Sequence, residues 1–231
     1  MKKLKGDAMK EKIGKIKQFI VKKYKWIVLF ICVLVFIDIA EDVFAKEIMQ
    51  KDIIGYNLIA TYLISDTVTP IAKGITQFGD AIILVSLTII LFVIIKDKKI
   101  GLSIAINLII ITILNLLLKH IVQRPRPTEF RIIDETGYSF PSGHSMISMA
   151  FYGFLIYLIH KKLQNTKIKY TLSILLSILI VSIGITRIYL GVHYTSVVLA
   201  GFAVSISYLL VYTSIIRRFV LEKGEELKNE K

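Results

Sequence analysis

The stretch TRIYLGVHYTSVVLAGF, Thr186 to Phe202, sets Arg187 and His193 six residues apart with apolar segments on both sides. It reads as the end of one apolar span, a short turn, and the start of the next. A cation and an imidazole that stay beside such spans are functional candidates, because ionisable groups near membrane depth are costly to keep. The rest of the chain follows from that reading.

The surrounding composition is that of a polytopic membrane protein. Hydrophobic residues make up 55% of the 231 residues and the mean hydropathy is +0.66. The apolar residues come in blocks with the charges between them. Six spans can be counted, at roughly 26–44, 78–95, 100–118, 144–160, 170–188 and 194–216. Several hold only about 15 strictly apolar residues where ~20 is usual, so some must borrow flanking polar residues or line a polar interior. The expected fold is therefore all-α, a six-transmembrane-helix bundle. Residues 1–25 form a basic amphipathic lead, 26–216 the membrane domain and 217–231 a polar tail. The first span carries no small-residue cleavage site and is expected to stay as an anchor. Segment 47–77, with Gly55, Pro70 and Gly74, reads as interfacial helix plus turns. Cys32 is the single cysteine and lies in an apolar run, so no disulfide framework forms within one chain.

The net charge of +13 does not imply nucleic acid, because of where the charges sit. The lead holds ten lysines between Lys2 and Lys25. Lys96, Lys98 and Lys99 follow the second span, Lys161, Lys162, Lys167 and Lys169 the fourth, and Arg217 and Arg218 the sixth. With six crossings all of these fall on one side. The positive-inside bias then places both termini in the cytoplasm of a plasma-membrane protein. The opposite side carries Asp38, Glu41, Asp42, Glu47, Asp52, Asp66 and Asp80. The lead either holds anionic headgroups or only sets topology.

Three pieces meet on that opposite, extracytoplasmic side. The third span ends in LKHIVQRPRP, with Lys119, Arg124 and Arg126, and Pro125 and Pro127 stop the helix there. The fourth begins with PSGH, Pro141 to His144. The third piece is the opening stretch. Singly, an interfacial Lys or Arg reads as a snorkelling anchor, and a His at a helix start as a packing or capping residue. Three clusters at one depth ask for more. Lys119, Arg126 and Arg187 supply charge, and guanidinium forks match phosphate oxygens. Ser142 and Gly143 open a helix whose first N–H groups are unpaired and suit an anion. Of the two histidines, one can attack phosphorus and the other protonate the leaving oxygen. Fixed cations neutralise the transferring group without a metal, and no cofactor is called for.

These motifs resemble the type 2 phosphatidic acid phosphatase superfamily, in its bacterial branch acting on phosphatidylglycerophosphate, phosphatidic acid or undecaprenyl pyrophosphate. The lysine, six residues, Arg-Pro motif matches KHIVQRPRP at Lys119, Arg126 and Pro127, PSGH is intact, and TRIYLGVHYTSV matches the third motif at Thr186, Arg187, His193 and Val197. The resemblance covers about 75 to 215. It implies that Lys119, Arg126, Ser142, Gly143 and Arg187 bind phosphate, that His193 is the nucleophile and forms a phosphohistidine, and that His144 is the general acid. It implies a metal-free hydrolase with its site at the outer leaflet and a membrane lipid phosphate as partner.

Two positions depart from the pattern. Thr186 replaces serine and keeps the hydroxyl. Val197 replaces the aspartate that would accept a hydrogen bond from His193 and steady its charge. Ser196, Thr195 and Asp134 are candidate substitute acceptors. The rival expectation is a weakened or inactive relative that binds lipid phosphates without turnover. A small transporter is a third, disfavoured because the charges gather at one face and not near the midplane. Headgroup preference and oligomeric state are not encoded legibly.

Overall fold

The computed structural model describes residues 2–45, 50–128 and 131–217, with side chains from residue 23 onward except residue 51. Eight helices and no strand occur among them: α1 (Lys2–Phe44), α2 (Gln50–Leu63), α3 (Val68–Gln77), α4 (Ala81–Ile94), α5 (Lys98–Val122), α6 (Gly143–Lys162), α7 (Thr166–Tyr189) and α8 (Thr195–Ile216). The second half of α1 and helices α4 to α8 coincide with the six apolar spans. The two extra helices, α2 and α3, fall in segment 47–77. The backbone is helical without a break from Lys2 to Phe44. The lysine side chains of residues 2–22, Glu47 and the tail beyond Arg217 lie outside the described residues.

By length and composition α5, α7 and α8 can each cross a bilayer, and α3 with α4 makes a fourth such unit bent by 50°. Local sequence sets the breaks. Asp80, Asp97 and Asn165 accept from the N–H groups of Ile82, Lys99 and Ile168, capping α4, α5 and α7. At its far end α5 stops when Gln123 turns left-handed at φ 50°. Pro125 beyond it keeps Arg124 out of helical geometry.

Helix α6 packs against α5, α7 and α8, and α8 lies between α6 and α1. Leu84, Ile104, Phe151, Phe154 and Ile183 are fully buried in the resulting core. Phe36 of α1 stacks on Phe140, ring centroids 5.7 Å apart, just ahead of α6. The outward faces are apolar: Ile106, Ile109, Ile113, Leu116 and Leu117 of α5 and Ile174, Leu175, Ile178 and Val181 of α7 are exposed. The inward face of α5 carries Ser103, Asn107, Ile111 and Asn115, four residues apart and all buried. This inverted pattern suits lipid outside and polar contacts inside, since backbone and side-chain polar groups must be met internally. Asn107 Nδ2 donates to Ala150 O at 3.1 Å, and Tyr208 O–H to Asn107 O at 3.3 Å, tying α5 to α6 and α8. The end of α5, the start of α6, the end of α7 and the start of α8 thus meet at one end of the bundle.

Candidate active site

The last turn of α5 presents Lys119. A Cβ at Gly143 would stand 3.7 Å from Lys119 Nζ, an ordinary contact, and 3.2 Å from Asn115 Oδ1, a tight one, so Lys119 lies close to the start of α6 and Asn115 closer still. Ser142 is the N-cap of α6. Its buried hydroxyl accepts from Ser145 N at 3.4 Å and from Ser145 Oγ at 3.0 Å. The first-turn N–H groups of α6, at Gly143 and His144, have no partner within the helix.

Arg126 is placed by the loop after α5. Its Nε donates to Gly137 O at 3.0 Å, Nη2 to Thr136 O at 2.9 Å, and Nη1 to Val192 O at 3.3 Å. Nη1 also stands 3.1 Å from His193 Nε2. Guanidinium has only donors. His193 Nε2 must therefore accept, and the neutral ring carries its proton on Nδ1. That Nδ1 is buried and has no partner among the described residues. His193 reaches this position because the chain folds back on the end of α7: Val192 N and His193 N both donate to Arg187 O, at 3.3 and 3.2 Å.

Arg187 is 1% exposed. Its Nη1 donates to Thr76 Oγ1 of α3 at 2.8 Å, and its Nη2 pairs with Glu135 Oε1. Its Nε is buried without a partner among the described residues. The other oxygen of Glu135 lies 3.6 Å from Arg126 Nη2. A carboxylate thus sits between the two arginines, where an anion is expected. Thr186 turns its hydroxyl to Ile183 O at 2.7 Å, inside its own helix.

Burial pushes the basicity of His193 well below the ordinary imidazole value, and Arg126, Arg187, Lys119 and His144 push it the same way. The ring is neutral, with the Nε2 lone pair towards the cations. Burial alone would raise the Glu135 carboxyl, but the Arg187 charge and hydrogen bond outweigh it and hold it low.

Lys119, Arg126, Ser142, Gly143, His144, Arg187 and His193 are brought to one end of the bundle. The substitute acceptors are not brought to the ring. Asp134 is exposed, Thr195 Oγ1 is buried without a partner, and Ser196 is bonded to Asp52. Val197 is fully buried among Ile39, Val43, Phe140 and Ala200. Sequence reasoning missed Glu135 and Thr76. Neither lies in a motif or a periodic pattern. No group of three His, Cys, Asp or Glu residues gathers as metal ligands among the described residues.

The chain is similar to several known proteins. A phosphatidylglycerophosphatase B of Bacillus subtilis (strain 168) is 38% identical over 95 residues, 41% of this chain and 47% of that relative. The match therefore spans about half the length of that protein. An undecaprenyl-diphosphatase of Sulfolobus acidocaldarius is 26% identical over 202 residues, 82% of this chain and 91% of that one. The crystal structure of a transmembrane PAP2 type phosphatidylglycerolphosphate phosphatase from Bacillus subtilis superposes with a TM-score of 0.73 at 25% identity, covering 84% of this chain and 98% of that one. Aquifex aeolicus LpxE shares the fold, with a TM-score of 0.57 at 21% identity over 69% of this chain and 92% of its own. The profile of the PAP2 superfamily matches residues 99–220, from the start of α5 through α8, and with all three motif pieces inside that range the chain belongs to the PAP2 superfamily.

Proposed function

We propose that this chain hydrolyses a phosphate or diphosphate ester of a membrane lipid through a phosphohistidine on His193. The contact of His193 Nε2 with Arg126, 3.1 Å, carries the reading: it puts an unprotonated, neutral ring nitrogen at the anion seat. An incoming phosphate takes Arg126 and Arg187 from Glu135, and Lys119 and the first N–H groups of α6 hold its remaining oxygens. His193 Nε2 then attacks phosphorus. The bond to the leaving oxygen breaks, and His144 gives that oxygen a proton. In the second step His144 takes a proton from water, the hydroxide attacks the phosphohistidine, and inorganic phosphate leaves with Nε2 restored. The cations neutralise the transferring group in place of a metal. Ser142 serves by capping the helix that presents the anion-binding N–H groups.

The basic loops support an orientation with both termini in the cytoplasm of the plasma membrane and the site at the outer face. The substrates of this reading are phosphatidylglycerophosphate, phosphatidic acid and undecaprenyl pyrophosphate, in keeping with the relatives' names. A second reading rests on the unpartnered His193 Nδ1: a chain that binds lipid phosphates and turns them over slowly or not at all. Phosphate release from those three lipids in detergent with EDTA separates the two. Turnover that is lost in His193→Ala supports hydrolysis. Binding without release supports the second reading.

A further inference from the structure

The aspartate missing at 197 has a counterpart elsewhere in the molecule. Asp52, in the first turn of α2, is 1% exposed. Its Oδ1 accepts from Ser196 N at 2.7 Å and its Oδ2 from Ser196 Oγ at 2.9 Å. Arg124 Nη2 lies 3.3 Å from Oδ2, and Arg124 Nη1 donates to Ser196 Oγ at 3.2 Å. The same guanidinium sits 4.4 Å above the Tyr194 ring. Every residue in this cluster except Asp52 and Arg124 lies within three positions of His193.

The local geometry says what the cluster does. Helix α8 starts at Thr195, and its N-cap residue Tyr194 makes no side-chain capping bond. Ser196 is the second residue of α8, whose N–H is normally met by the cap side chain. Asp52 meets it instead, from another helix, with its negative charge at the positive end of α8. One turn along α2, a Cβ at Gly55 would fall 2.2 Å from Thr195 Oγ1, so only glycine lets α2 come this close. The ring of His193 has no acceptor at Nδ1. Its direction is therefore set by Arg126 on one side and by the 193–196 backbone on the other.

We infer that Asp52 is a positioning residue for His193, holding from α2 the backbone that a carboxylate at 197 would otherwise help to orient through the ring. This rests on the proposed hydrolysis. It predicts coupling between two carboxylate positions on different helices, which general packing would not produce.

The test compares the full chain with Asp52→Ala, Val197→Asp and the double variant, in detergent. Asp52→Ala is expected to lower kcat ~30-fold with KM and inhibition by inorganic phosphate within threefold, since a misplacement near 1 Å can cost ~100-fold in the chemical step. Vanadate, which mimics the transferring phosphoryl group, should lose affinity in step with kcat. Adding Val197→Asp should raise kcat at least tenfold more in the Asp52→Ala background than it does in the parent, the excess over additivity being the coupling. Should Asp52→Ala fail to fold, Asp52→Asn/Arg124→Gln removes both buried charges but keeps an acceptor for Ser196 N–H, and kcat within threefold of the parent is expected. Unchanged kcat in Asp52→Ala overturns the inference. So does a parallel fall of kcat, phosphate affinity and melting temperature that Val197→Asp does not relieve, or a tenfold loss in the folded neutral pair. If the parent chain releases no phosphate, the proposed reaction fails by itself. The ratio of vanadate to phosphate affinity, measured by calorimetry in the same variants, then decides the role of Asp52: a selective loss of vanadate sustains it and an equal loss sinks it.

Discussion

Val197→Asp is the perturbation that probes the site most directly. His193 Nδ1 is a buried N–H without an acceptor, and position 197 lies in the first turn of α8, four residues on. As Nε2 attacks phosphorus, the ring gains positive charge and the Nδ1–H becomes a stronger donor. A hydrogen bond to a charged group contributes about 1.5–3 kcal/mol, against about 0.5–1.5 for a neutral one. The difference, about 1–1.5 kcal/mol, develops as the ring gains charge in the transition state and corresponds to about 5- to 13-fold in kcat. The substitution also removes a fully buried valine and places a carboxylate among Ile39, Val43, Phe140 and Ala200. The melting temperature should fall by a few degrees, because the desolvated carboxylate is only partly compensated by one hydrogen bond. The new charge should raise the basicity of His193, so the acid limb of the rate profile moves up in pH. The assay is phosphate release from a short-chain lipid phosphate in detergent, with melting followed on the same samples. A folded Val197→Asp protein with the parent kcat and an unshifted acid limb would refute the argument, since the unmet Nδ1 would then not limit the reaction.

Two further outcomes follow from the charges around the anion seat. Glu135→Gln removes the carboxylate that phosphate must displace from Arg187 and Arg126. Inorganic phosphate should then inhibit ~3- to 10-fold more tightly, the size of a partly exposed ion pair, with kcat little changed; competitive inhibition assays read this. The pH dependence follows from His193. Its folded value lies well below the ordinary 6.5, so the nucleophile stays neutral and kcat/KM does not halve near that pH. The stability effect has the opposite appearance. The unfolded chain binds this proton as pH falls through about 6.5 while the folded chain does not, so folding is favoured above that value and weakens below it. Parallel melting and rate profiles from pH 5 to 8 check both signs.

The membrane class, the six spans and the three motif pieces were legible because each is a local signal. A run of apolar residues reports its own length. Pro125 and the PSGH segment mark the ends of α5 and the start of α6 by their own backbone chemistry. The departure at Val197 was legible for the same reason. Its consequence was not: that His193 Nδ1 is left unmet, and that Ser196, Thr195 and Asp134 do not replace the acceptor, depends on where three chain segments pack. Glu135 and Asp52 were invisible as site residues because an acid in a loop or a short helix carries no periodic pattern. Glu135 finds Arg187 at 52 positions' separation, and Asp52 finds Ser196 at 144. Buried charges must be paired, and the sequence names the charges without naming the pairs. The packing of α2 against α8 and of residues 132–135 over the end of α7 made that choice.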